Sequence, residues 1–235
     1  NGVKGRCSAL NASEAMSAMR ALDSFISDAA ETQMERVNPI RFVKVLERLL
    51  PEDSYIVVEA STASIYSAAY FVQRKSGRKF LSNYTSGALG YALPASAGVA
   101  SAHPDAVVIG MGGDGSFHFS CGELETYARL GLNIKMIVFT NDAFGWIKGE
   151  TAHVYKAGFF AADFGRVDYA GVARSFGIEG RRIESSDEIE SVMSDVLSRR
   201  GPALVEVRVD DQSRLVPPIP RWIPNAAEKG IPYYY

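Results

Sequence analysis

Short apolar runs alternate with segments of helical period from residue 38 to residue 209, and that alternation leaves few folds open. Strands are expected at 55–59, 80–82, 106–111, 134–139, 179–183 and 203–209, each bounded by turn formers and most of them rich in β-branched residues. Between them, helices are expected at 64–73, 88–102, 120–131, 167–176 and 187–199, with one more at 38–50 before the first strand. Asn38-Pro39 supplies a cap and a first-turn proline. Ser120 and Glu123 have capping-box spacing, and Gly131 closes the helix they open. The helix near 88–102 is rich enough in Ala, Gly and Ser for close backbone approach. Strands joined through helices predict an α/β fold, a doubly wound and mostly parallel sheet flanked by helices.

Two of these runs end in residues that carry chemistry. Ala106–Met111 leads into Gly113-Asp114-Gly115-Ser116-Phe117, and Ile134–Phe139 leads into Thr140-Asn141-Asp142-Ala143-Phe144-Gly145. Open parallel sheets bind ligands just past the carboxyl ends of their strands, so Asp114 and Asn141 are expected at such a site. A carboxylate and a neutral amide oxygen form a hard, low-charge donor set. It suits Mg²⁺ shared with a phosphate better than it suits zinc.

Asn141 follows Asp114 by 27 residues, and this Gly-Asp-Gly…Asn pattern resembles the signature of thiamine diphosphate enzymes. Gly87-Ala88-Leu89-Gly90 is similar to the family's segment that meets the cofactor's aminopyrimidine, and Phe144–Lys148 resembles the post-Asn loop of acetolactate-synthase-like and pyruvate-oxidase-like members. Thr140 stands where the family usually has a first Asn.

The resemblance implies thiamine diphosphate and Mg²⁺ as cofactors. It places the metal on Asp114, Asn141 and the main-chain carbonyl of Ala143, with Gly113, Gly115, Ser116, Phe144 and Gly145 around the diphosphate. Ser61, Thr62 and Ser64 either reach the other side of the diphosphate or cap the following helix. The Gly87 carbonyl is expected to accept from the cofactor's exocyclic amine, while Leu89 wedges between its two rings and keeps the amine close to the reacting carbon. The implied reaction decarboxylates a 2-oxo acid and either releases an aldehyde or joins the product to a second carbonyl. The alternatives are a flavin-dependent pyruvate oxidase, with FAD in the full-length enzyme, and a non-catalytic subunit that binds a phosphorylated ligand. The glutamate that serves the aminopyrimidine in this family has no counterpart here. By resemblance it comes from a pyrimidine-binding domain of the same full-length chain or of a partner, in a homodimer or homotetramer.

Residues 1–37 read as a connector from a preceding domain, with a helix capped by Asn11 or Ser13, running to about Glu31, and carrying Met16, Met19, Leu22 and Ile26 along one side. Residues 38–215 form the diphosphate-binding domain, and the proline-rich residues 216–235 an extended arm. The first residue is Asn1, which suggests part of a longer product. A net charge of −2 gives no electrostatic reason to expect nucleic acid, and no apolar run is long enough to span a bilayer. Two cysteines cannot hold a four-thiolate cluster, and a cytoplasmic location is expected. Glu59 reads as a structural residue at a strand end, and His118 and His153, which could serve as acid–base groups, read as structural or solvent-facing. His103 reads as a surface turn, Arg181-Arg182 as a solvated edge, and Trp146 as either pocket wall or core.

Overall fold

In the computed structural model, residues 12–73 and 79–215 are described. Asn11 and the expected 216–235 arm lie outside them.

The first helix, α1 (Ala12–Glu31), ends against α2 (Pro39–Leu49), and Asn38 joins the two. Its side-chain oxygen accepts from Ile40 N and Arg41 N, at 2.9 and 3.3 Å, while its amide donates back to Ala29 O and Thr32 O. One residue thereby satisfies orphan groups at the end of one helix and the start of the next. The stripe expected on α1 is buried only in part. Ile26 and Leu22 pack with Val43, Tyr66 and Tyr70, but Met16 and Met19 are 56% and 65% exposed. Nothing among the described residues covers the first half of that stripe.

From there strand and helix alternate through β1 (Tyr55–Val58), α3 (Thr62–Tyr70), β2 (Phe80–Ser82), α4 (Ala92–Ala102), β3 (Val108–Gly113), the single turn α5 (Asp114–Phe117), α6 (Glu123–Leu130) and β4 (Ile134–Thr140). Then come α7 (Gly145–Glu150), α8 (Tyr169–Ser175), β5 (Glu179–Ile183), α9 (Ile189–Leu197) and β6 (Ala203–Arg208). All six strands are parallel, in the order β2-β1-β3-β4-β6-β5. The expected fold class is the observed one.

Side chains alternate between the two faces of the sheet and build two cores. Ile56, Val58, Ile109, Met111, Ile137 and Phe139 pack under α2, α3 and α9. Val57, Val108, Met136, Val138 and Leu204 pack under α4, α6 and α8. Gly110 shows why α4 is made of small residues, since a Cβ there would sit 2.7 Å from Ser96 Oγ on that helix. From β1 the chain moves outward to β2 and then returns to the other side of β1 as β3. The crevice between β1 and β3 is therefore a topological switch point, where open α/β sheets take ligands.

Three local expectations change. The 120–123 capping box does not form, because the cap of α6 is Gly122 and the buried Ser120 hydroxyl has no partner among the described residues. The backbone turn Glu123 N to Ser120 O takes its place. The helix expected from residue 88 begins at Ala92, since Gly87 and Gly90 take φ of +63° and +84° in a turn that a helix cannot enter. Residues 145–150 form α7, and Thr151–Tyr155 continue as a turn of π-helix, where the sequence reads as loop.

Candidate functional site

The register of β3 on β4 decides where the two motif tips meet. Gly113 lies opposite Phe139, so Asp114 and Asn141 emerge side by side at the carboxyl edge. Asp114 is 2% exposed, and its carboxylate is held by backbone. Oδ2 accepts from Asn141 N at 2.9 Å and Asp142 N at 2.7 Å, and Oδ1 accepts from Gly115 N at 2.8 Å. Burial pushes its pKa up to about 6 against the pull of these three amides.

Ala143 is paired antiparallel with Asp163, through Phe164 N to Asp142 O at 2.7 Å and Phe144 N to Ala162 O at 2.8 Å. Its own carbonyl is therefore turned away from that segment, and it accepts no hydrogen bond among the described residues. A carboxylate, an amide oxygen and a free carbonyl are all hard donors. Three such oxygens would leave half of an octahedral shell to phosphate and water, so the chemistry of these residues fits Mg²⁺. No cluster of three His, Cys, Asp or Glu side chains exists among the described residues to compete for an ion.

The other expected residues are partly brought together. A Cβ on Gly113 would meet Ser61 Cβ at 3.4 Å, and one on Gly87 would meet Ala60 Cβ at 3.9 Å, so the β1 loop, the Gly87 turn and the β3 tip converge on the switch-point crevice. The Ser61 hydroxyl is committed, however. It donates to Glu59 O and accepts from Ser64 N as the cap of α3, whose first residue is the buried Thr62. Ser116 closes the Gly113 turn, accepting from Gly113 N and donating to Gly113 O, both at 3.0 Å. Leu89 is half-buried beside Gly87, whose carbonyl accepts nothing among the described residues.

Phe144 does not present an exposed wall. Its ring meets Phe164 edge-on at 4.5 Å and fills the space that a Cβ on Gly115 would take. A side chain on Gly145 would collide with the Asn141 amide, so that glycine lets α7 start against the site. Trp146 is half-buried and Ile147 exposed. Lys148 is buried as a latch. Its ammonium reaches Asp163 at 2.8 Å and Asp211 at 2.5 Å, and lies over the Phe159 ring. His118 bonds the Tyr169 hydroxyl at 2.8 Å, His103 stacks on Tyr55, and His153 lies in the π-helical turn.

Two residues, Arg182 and Arg208, were misplaced or missed by sequence reasoning, while Glu59 has the structural strand-end role expected of it. Glu59 is fully buried at the end of β1, and its Oε2 accepts from Tyr91 N at 2.6 Å and Ala92 N at 3.1 Å. It thus ties the Gly87–Leu89 turn to the strand beside Asp114. Burial raises its pKa, opposed by those amides. Arg182 is no solvated edge, because its Nε stands 3.1 Å from the carboxylate of the fully buried Glu206. Arg208, 2% exposed, forks onto Asp142 at 3.0 and 2.7 Å. The signal was present in Ala203–Arg208, where Glu206 and Arg208 interrupt an otherwise apolar strand. Charges at buried strand positions call for partners.

Comparison with known proteins places these tips in a family. The family model "Thiamine pyrophosphate enzyme, C-terminal TPP binding domain" matches residues 59–207. Among curated proteins, the chain is 28% identical over 190 residues to acetolactate synthase isozyme 1 large subunit of Escherichia coli, covering 80% of this chain and 34% of that protein. It is 30% identical over 181 residues to acetolactate synthase of Bacillus subtilis, covering 77% and 31%. A probable acetolactate synthase large subunit of Methanococcus aeolicus matches at 30% over 190 residues, covering 77% and 32%. The chain thus spans about a third of the length of these relatives. With the switch-point crevice and the paired Asp114 and Asn141 tips, the match shows that the chain belongs to the thiamine pyrophosphate enzymes, as their C-terminal cofactor-binding domain.

Proposed function

We propose that this domain holds the diphosphate and Mg²⁺ of a thiamine-diphosphate-dependent enzyme that decarboxylates a 2-oxo acid and joins the product to a second carbonyl. The observation that carries this reading is the grip of the Asn141 and Asp142 amides on Asp114, which fixes the Asp114 carboxylate beside the loop that bears Asn141 and Ala143 at the edge of the sheet. The acetolactate synthase names of the relatives support the carboligating branch.

When bound, thiamine diphosphate supplies a nucleophilic carbon and an electron sink for decarboxylation. The rest falls to the protein. Asp114, Asn141 and the Ala143 carbonyl would hold the cation, and the Asp114 and Ser116 amides would be left to meet phosphate, since Gly113 N and Gly115 N already donate to Ser116 and Asp114. The Gly87 carbonyl would accept from the exocyclic amine, and the Leu89 side chain would pack against the rings. The turn that carries both is anchored by Glu59.

A positioned acid–base group is worth about 10²–10⁴ in rate. The aminopyrimidine glutamate belongs to a pyrimidine-binding domain outside these residues, so the isolated chain binds cofactor and turns over almost nothing. The working unit is a homodimer or larger. The test is a product assay of the complete protein with pyruvate, thiamine diphosphate and Mg²⁺, following CO₂, acetolactate and hydrogen peroxide together. CO₂ with acetolactate is the expected result. Peroxide would move the assignment to the flavin-dependent oxidases, and no turnover of any 2-oxo acid would leave a binding subunit.

A further inference from the structure

We propose that Arg208 and Asp142 form a positioning pair for the cation site, acting through the two backbone amides that grip Asp114. The inference rests on the function proposed above. Asp142 takes φ of +57°, a left-handed conformation that costs energy in a residue with a Cβ. That conformation turns two consecutive amides, Asn141 N and Asp142 N, onto one oxygen of Asp114. What holds it lies one strand away. Thr140 is in register with Arg208, so the Arg208 side chain leaves β6 beneath the Asn141–Asp142 turn. Its guanidinium meets both oxygens of Asp142, a two-point contact that fixes orientation as well as distance.

Arg208 is itself held. Its Nη1 also reaches Thr140 Oγ1 at 3.4 Å and stands 3.9 Å from Glu206 Oε1. Glu206 in turn faces Arg182 at 3.1 Å and Ala170 N at 3.3 Å, and Arg182 reaches Asp168 at 2.6 Å. The chain of charges runs from the surface of α8 to the residue beside a metal ligand. A structural ion pair would need no such address. Asp142 also places a negative charge next to the cation, so charge and geometry make opposite statements about Arg208. If charge alone mattered, removing the guanidinium would tighten the ion. If positioning matters, removal loosens it, because the donors lose their arrangement.

The experiment titrates Mg²⁺ by calorimetry into the complete protein in the presence of thiamine diphosphate, for wild type, R208K, R208M and D142N, with thermal melts recorded with and without Mg²⁺. R208K keeps the charge and loses the fork, and D142N keeps tolerance for the left-handed backbone while losing the pair. Partners that orient metal ligands are worth about 10–100-fold in metal affinity, and a loss of that size is expected in all three variants. Stabilisation of the melt by Mg²⁺ shrinks in parallel. Wild-type affinity in R208K, or tighter binding in R208M, would overturn the positioning role, as would equal lowering of the melts with and without Mg²⁺. If R208M does not fold, R208K and D142N decide. If wild-type protein itself shows no Mg²⁺-dependent cofactor binding, the proposed function fails first and this inference with it.

Discussion

The two halves of the site are built by different means. The proposed metal half sits on β3 and β4, neighbours in the middle of the sheet, where ladder register places Asp114 and Asn141 together and Asp114 is bonded on both oxygens. The ring half, Gly87 to Leu89, belongs to no ladder. It is a turn after the edge strand β2, held by Asn83, which accepts from Gly87 N and donates to Ala88 O, and by Glu59 at its far end. A sheet interior supplies precision to the atoms proposed to bear the ion. An irregular turn hung on one buried carboxylate supplies a left-handed glycine and a half-buried leucine. The first arrangement fails by losing a ligand, the second by losing an anchor.

The sharpest break is Asp114→Ala. It removes a ligand and the acceptor for three amides, and Mg²⁺-dependent binding of thiamine diphosphate should fall by about 100-fold or more in calorimetry. Unchanged affinity would remove the metal assignment. Leu89→Ala strikes the other half and should separate the two. Binding persists in the same calorimetry, while turnover of the complete enzyme falls by about 10-fold or more through misplacement of the reacting groups. An unaltered rate would end the wedge role. Glu59→Ala leaves Tyr91 N and Ala92 N without their acceptor and should cost about 2 kcal/mol or more in urea unfolding, with Mg²⁺ affinity less affected than in Asp114→Ala. Equal loss of Mg²⁺ affinity in the two variants would mean that the halves are not independent.

The smallest effect tests the far end of the metal strand. Lys135 on β4 is buried, and its ammonium donates to Arg199 O at 2.7 Å and to Gly201 O at 2.5 Å. Burial pulls its pKa down to about 8 from the ordinary 10.5, against the opposing pull of Glu179. Between those values the unfolded chain binds more protons than the folded one, so stability rises with pH from about 8 to about 10.5. Lys135→Met should flatten that slope in pH-dependent unfolding. A slope that persists would assign it to another group.

Much of the site was legible because it rests on strand ends and turn residues. The runs before Asp114 and Asn141 read as strands, and parallel strands in one sheet put their carboxyl ends on one edge. Gly87 was legible as a glycine with a task, although its left-handed φ emerged only with the structure. Ser61 was left between two roles, and the cap of α3 accounts for its hydroxyl. The residues that were missed act across the sequence. Arg208 meets Asp142, and Arg182 meets Glu206, over separations that no local pattern encodes. Ser120 shows the converse, a correct capping spacing that a tight backbone turn displaced.

By itself, the sequence determined the order of the strands and of most helices, and the two loop tips after β3 and β4, because hydrophobic period and turn chemistry are local. Only the tertiary structure decided how the oxygen donors on those tips are aimed. The Asp114 carboxylate, the Asp142 backbone and the Gly87 turn are each set by a partner from another strand or helix, and burial makes an unmet partner costly enough to enforce the arrangement.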